Sequence, residues 1–430
     1  MKFDKTEKSW ITYDVANSAY ATIMMAAIFP IFFTGICSEA TGRGDFWWGI
    51  GTSIATAIIA ILAPMIGAIA DIHGYKKRIF SIFLVFGITF SLAAVFSPYW
   101  ELMLIGYILS RIGFTGGNLT YDSFLTDATT IERMDTVSSW AFGLGYIGGS
   151  TVPFLMSIAL IMFGQNIGID GVMAVKISVV IMAIWWALFS IPFLRNVKQK
   201  HGIDKPKKDL IKNAFVRIIR TAKSIFTNKA MMIFILAYFF YIDGVGTTIS
   251  MSTSYGAELN LNSTSMILAL LVTQIVAFPC AILFGRLSRK VGSITMITVG
   301  VCIYLVVCVV GFVMGFGLEE NFLSIQEATS LFWVLAVLVG TSQGGIQAIS
   351  RSYYAKLIPP ESSGEYFGFF DIFGKFAAVV GPALYALLVG IFGRSSFGIF
   401  ALVFLFLTGF LILIIGRKTL IEAEREKAEK

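Results

Sequence analysis

Apolar residues run along this chain in blocks of about twenty, separated mostly by short polar stretches. A hydrocarbon core about 30 Å thick needs roughly 20 helical residues to cross it. Blocks of that kind fall at 11–36, 46–70, 79–97, 101–126, 137–163 and 172–194. After a polar stretch they resume at 230–253, 263–284, 294–316, 330–357, 365–390 and 396–416. The pattern predicts an all-α membrane protein with twelve transmembrane helices in two six-helix bundles. The expected divisions are an N-terminal bundle (1–194), a basic linker (195–229), a C-terminal bundle (230–416) and a charged tail (417–430).

Composition supports a membrane setting. Of the 430 residues, 57% are apolar and 14% charged, where soluble domains carry closer to a quarter charged. Mean hydropathy is +0.80. The first apolar block is too long for the core of a signal peptide and reads as a first membrane helix. The net charge of +7 would fit a nucleic-acid binder, but the placement of the charges argues otherwise. The amino terminus, alternate loops and the carboxyl tail hold 27 of the 33 basic residues, and the opposite loops hold only Arg43 and Arg394. By the positive-inside rule both termini are cytoplasmic. The segment Arg195–Lys229 has eleven basic and two acidic residues and reads as a topology-fixing linker.

Each half carries corresponding motifs. GAIADIHGYKKR (Gly67–Arg78) is matched by GRLSRKVGS (Gly285–Ser293) at an offset of 218 in the numbering. GYIGGSTVP (Gly145–Pro153) is matched by GKFAAVVGP (Gly374–Pro382) at an offset of 229. Two six-helix halves with corresponding motifs mark a duplicated transporter. The first motif resembles the cytoplasmic signature loop of the major facilitator superfamily, although Ile72 and His73 stand where a basic residue usually follows the Asp. YDVANSAYAT (Tyr13–Thr22), VSSWAFGLGYIGG (Val137–Gly149), AYFFYIDGVGT (Ala237–Thr247) and QGGIQAISRSYYAKLIPP (Gln343–Pro360) narrow the resemblance to the vacuole-effluxer-like, autophagy-related permease branch, with a bacterial origin expected. The resemblance implies the major facilitator fold, a twelve-helix secondary transporter in the bacterial cytoplasmic membrane, and a link to amino-acid efflux.

Ionisable residues inside a span cost about 2.5–3.5 kcal/mol on insertion scales, so each needs a partner or a watery cavity. Arg111, Thr115, Asn118 and Asp122 share one face of the fourth span at helical spacing. In the seventh span Asp243 and Thr247 do the same, and in the tenth Gln343, Gln347 and Arg351. With Asn17 of the first span, the residues Arg111, Thr115, Asn118, Asp243, Thr247, Gln343 and Gln347 are the candidate substrate contacts. Asp243 and Asp371 are the candidates for proton coupling. Asp71, Gly74, Lys77, Asp122, Arg351 and Lys375 are the candidates for a cytoplasmic gate. Asp122 and Arg351 correspond in the 229 frame and are expected to approach when that side closes. Asp371 and Lys375 stand i, i+4 and could instead neutralise each other.

Enzyme chemistry finds little footing. The only histidines, His73 and His201, lie in different loops, and the four cysteines are scattered without a CxxC pair. GLGYIG (Gly143–Gly148) matches a dinucleotide fingerprint but has a polar loop before it and lies inside an apolar helix. Its glycines read as helix packing, with Gly145 and Gly149 forming a GxxxG. No cofactor and no metal is expected, nor a nucleic-acid partner, and the protein is expected to act as a monomer in the lipid bilayer. Three functions stay open: proton-coupled transport of a small solute such as an amino acid, extrusion of hydrophobic cations or metabolites, and sensing without flux.

Overall fold

A computed structural model describes residues 2–205 and 210–429; linker residues 206–209 lie outside the described residues. Apart from one isolated parallel bridge, Ile72 to Ile203, the regular structure among the described residues is helical. Eleven helical stretches among these residues are long and apolar enough to cross a membrane. They begin with α1 (Lys5–Tyr20) and α2 (Ile28–Thr41), joined by a π turn over Ala21–Ala26, then α3 (Gly44–Ala70) and α4 (Lys76–Phe96). The twelfth span is α5 (Trp100–Ser123), whose Arg111, Asn118 and Asp122 lower its apolarity. The short α6 (Leu125–Ala128) leads to the fifth span, made of α7 (Met134–Leu144), a π turn at Gly145–Thr151 and α8 (Val152–Phe163), and then to α9 (Gly171–Asn196). The linker contains α10 (Leu210–Thr227). The second half comprises α11 (Lys229–Glu258), α12 (Ser263–Val291), α13 (Ser293–Glu319), α14 (Ile325–Leu357), α15 (Ser363–Phe392) and α16 (Ser395–Ala428).

The chain forms two compact units that do not follow a single cut in the sequence. One comprises Met1–Thr130, Leu144–Thr221 and Ile358–Asp371; the other comprises Ile131–Gly143, Ala222–Leu357 and Ile372–Lys430. The start of α15 thus belongs to the first unit and most of α7 to the second. In the first unit α4 lies along α5, α1 along α9, and α3 against α5. In the second, α14 packs on α12 and α13, and α16 on α11 and α13. Lipid offers no hydrophobic drive between helices, so close backbone approach must supply the packing. At the α4–α5 seam a Cβ on Gly106 would sit 2.9 Å from the Ala94 backbone. The Gly145/Gly149 pair seats the π turn on α1: a Cβ on Gly145 would lie 2.8 Å from Ser18 Oγ, and one on Gly149 2.6 Å from the Val15 carbonyl.

The repeat is visible in the backbone. Gly74 and Gly292, which correspond in the 218 frame, turn their loops with φ of +80° and +89°, where side chains are disfavoured. Gly67 lies against Gly364 in the first unit, and Gly285 lies against Ser139 and Asp135 in the second. Gly364 and Asp135 themselves correspond in the 229 frame, so both offsets meet in one repeated contact.

Candidate functional site

In the first unit α1 and α5 bring polar side chains together. The Asn17 amide donates to Asn118 Oδ1 at 3.1 Å and to Asp14 Oδ1 at 3.3 Å. Arg111 donates to the Tyr107 hydroxyl at 3.0 Å, one turn back on α5. Arg111, Asn118 and Asp122 are half-buried and Thr115 is just buried, while Gly113, Gly116, Leu119 and Thr120 are buried. The face selected by spacing is therefore the more accessible side of a buried helix. Behind it, Tyr20 bonds Ser110 at 2.7 Å and Trp10 stacks on Tyr121 at 4.5 Å, an aromatic wall that fixes α1 against α5.

In the second unit Asp243 Oδ1 accepts the N–H of Gly381 at 3.0 Å and the Thr247 hydroxyl at 3.4 Å. Its Oδ2 is buried with no hydrogen-bond partner among the described residues. Pro382, inside α15, has no N–H of its own, and the preceding Gly381 directs its N–H across to α11. Gln347 donates to the carbonyl of Gln343, one turn back on α14. Gln343 also lines a cavity of about 110 Å³ with Thr248, Thr273, Gln274 and Tyr385. On α15, half-buried Asp371 is the last residue of the first unit's segment, and half-buried Lys375 belongs to the second unit.

Each unit also contains a buried charged clamp at the end that carries the basic loops. In the first, the Asp71 carboxylate caps the start of α15, accepting the N–H groups of Gly364 at 2.7 Å and Glu365 at 2.9 Å. Arg217 of α10 bonds Glu365 at 2.6 Å and lies 3.5 Å from Asp71. Lys76 pairs with Asp127 at 2.8 Å and donates to Ser363 at 2.9 Å, while the other Asp127 oxygen accepts the N–H groups of Lys200 and His201. Burial pushes the Asp71 carboxyl up to about 7, against the pull of Lys76, the two N–H groups and Arg217. In the second unit, Lys356 pairs with Asp135 at 2.9 Å and with Glu424 at 2.8 Å, and Ser352 and Ser293 donate to Asp135. Arg351 donates to Ser138 Oγ at 3.0 Å and stacks 4.4 Å over Phe142.

Of the gate candidates, Asp71 lies in the first clamp, and the Gly74 N–H donates to Gln199 at its edge. Lys77 points the other way, to the carbonyl of Leu194. Sequence reasoning missed Lys76, Asp127, Asp135, Arg217, Lys356, Glu365 and Glu424. One signal was available: Asp127 and Lys356 correspond in the 229 frame with opposite charge, as Asp122 and Arg351 do.

Comparison with known proteins agrees with this architecture. A family model described as "Vacuole effluxer Atg22 like" matches residues 49–128 and 126–429. The chain is 45% identical over 419 residues to the MFS-type transporter YxiO of Bacillus subtilis, covering 96% of this chain and 95% of that one. It is 27% identical over 307 residues to autophagy-related protein 22 of Cryptococcus neoformans, covering 68% of this chain and 52% of that longer protein. A bacterial homologue of the iron transporter ferroportin, solved in an outward-facing state, superposes with a TM-score of 0.69 at 15% identity over 99% of this chain and 100% of that one. That likeness shows the fold. With twelve helices in the major facilitator arrangement and a family match over most of its length, the chain belongs to the vacuole effluxer Atg22-like family of MFS-type transporters.

Proposed function

We propose that the chain is a proton-coupled secondary transporter that moves an amino acid across the bacterial cytoplasmic membrane by alternating access, as a monomer with both termini cytoplasmic. The observation that carries this reading is the Asn17–Asn118 bond, which sets an accessible polar face two turns from Arg111 on α5. Arg111 would take the substrate carboxylate, and Thr115, Gln343 and Gln347 would supply further polar contacts. Asp243 would take the proton, because its Oδ2 is buried with no hydrogen-bond partner among the described residues. Asp371 is the second coupling candidate. Asp71, Gly74, Lys77, Asp122, Arg351 and Lys375 would form the cytoplasmic gate. The names of the fungal relatives and of the family support the effluxer class but name no solute for this chain.

Counterflow tests this reading. Purified protein in liposomes is loaded with unlabelled amino-acid or metabolite pools and assayed at two pH gradients. Exchange of an amino acid that responds to the gradient is expected. Ligand binding without any flux would refute transport, and flux confined to hydrophobic cations would refute the amino-acid assignment. The cation reading draws on Asp243 and on Tyr238 and Tyr241, whose rings meet edge-on at 5.7 Å beside it on α11.

A further inference from the structure

The linker helix α10 is amphipathic, and its apolar arc is wider than the part it buries. At 3.6 residues per turn, Ala214, Ile218 and Ile225 lie on one side, and Phe215, Ile219 and Phe226 continue the same arc around the helix. Ala214 and Ile225 are buried, but Phe215 is 52% exposed, Ile219 68% and Phe226 58%. Immediately beyond these three stand Lys212 and Lys223, both exposed, with Arg220 farther round. Only Asn228 separates α10 from the membrane span α11, so its last turn stands where that apolar span begins. An apolar stripe bordered by cations at that level matches the headgroup boundary, where rings and aliphatic chains reach acyl carbon and ammonium groups meet phosphate. The inner side does different work: Arg217 donates to the carbonyl of Ala68 at 2.9 Å and pairs with Glu365 in the charged clamp.

We propose that α10 is an interfacial helix that binds anionic phospholipid, with Phe215, Ile219 and Phe226 inserted at the headgroup boundary and Lys212 and Lys223 on the lipid phosphates. The same helix then holds the membrane surface on one side and Glu365 on the other. The proposal concerns depth in the bilayer and is independent of the solute transported and of which leaflet faces the cytoplasm.

Nitroxide labels test it on the full chain. The four native cysteines (Cys37, Cys280, Cys302 and Cys308) are replaced by Ala, and single labels are placed by Ile219→Cys, Phe226→Cys or Asn213→Cys. The protein is reconstituted into phosphatidylcholine vesicles with or without phosphatidylglycerol. With phosphatidylglycerol, labels at positions 219 and 226 should collide with oxygen more than with a water-soluble nickel chelate, and the label at 213 should do the reverse. Neutralising Lys212 and Lys223 to Gln touches exposed side chains only. It should shrink the difference in oxygen-to-chelate accessibility between vesicles with and without phosphatidylglycerol, each cation contributing about fivefold to the attraction to the anionic surface. The proposal is overturned if position 219 is as open to the chelate as position 213 in both vesicles. A depth that ignores phosphatidylglycerol overturns the anionic specificity. Protection of these labels by added polynucleotide, without any response to lipid, would assign the surface to nucleic acid instead.

Discussion

Lys76 and Asp127 form an ion pair of 2.8 Å in which neither side chain has any solvent exposure. Removing one member of such a pair leaves a buried charge without compensation, at a cost of about 3–5 kcal/mol. Lys76→Met should therefore lower the melting temperature of the purified protein strongly. Asp127→Asn should also lower it, because the buried Lys76 ammonium loses its carboxylate even though Oδ1 still accepts the N–H groups of Lys200 and His201. The double variant should be more stable than the sum of the two singles implies. Strict additivity in the melts would show that the two residues are not energetically coupled.

Asp71 gives the clamp a pH dependence. Its carboxyl is raised from 3.8 to about 7 in the folded protein, chiefly by burial, so the folded state binds the proton more tightly than the unfolded chain. The stabilisation is complete below about pH 4 and is lost as pH rises through 7, with a slope of up to about 1.4 kcal/mol per pH unit. Melting temperature should fall from pH 5 to pH 8, and Asp71→Asn should flatten that part of the profile. An unchanged profile in the variant would assign the pH response to other groups. Glu365, Lys76 and Arg217 face the same carboxylate, and Glu365→Gln separates its share.

Much of this architecture was legible because a bilayer imposes a length on every span. Blocks of about twenty apolar residues locate the helices even where Arg111, Asn118 and Asp122 interrupt them, and the glycines Gly67, Gly74, Gly285 and Gly292 carry the repeat. The polar face of α5 followed from spacing, but the bond from Asn17 of α1 to Asn118 did not. The clamps were hidden for a physical reason. Charges at span ends read as solvated loops, and Lys76, Lys77 and Arg78 look alike in a run that sets topology. Only the start of α4 at Lys76 turns one lysine inward to Asp127 and sends the next to Leu194. The start of α15 in the first unit rests on backbone donors, Gly364 and Glu365, which side-chain reasoning does not count.

Gly381 is fixed by its neighbours rather than by its own conformation. A Cβ there would fall on the Thr247 hydroxyl and lie 2.7 Å from Asp243 Oδ1. Gly381→Ala should push α15 from α11, lengthen the bond from its N–H to Asp243, and lower both melting temperature and transport. Adding Thr247→Ala removes the closest obstacle and should restore part of the stability. If transport stays at the wild-type rate in Gly381→Ala, the Asp243–Gly381 contact is not needed for the cycle.

Arg111 decides between the two substrate readings. A guanidinium bonded to a substrate carboxylate contributes about 1.5–3 kcal/mol, so its removal should raise the half-saturation concentration for an amino acid about 10- to 150-fold. Arg111→Ala should show that rise while leaving flux of a hydrophobic cation near the wild-type value. Arg111→Lys keeps the charge without the planar fork and should fall between. Tyr107→Phe removes the hydroxyl that accepts from Arg111 at 3.0 Å, and should weaken amino-acid affinity less than Arg111→Ala does, with little change in maximal rate. Equal loss of amino-acid and cation flux in Arg111→Ala, with a lowered melting temperature, would make Arg111 a support of the helix pair rather than a substrate contact.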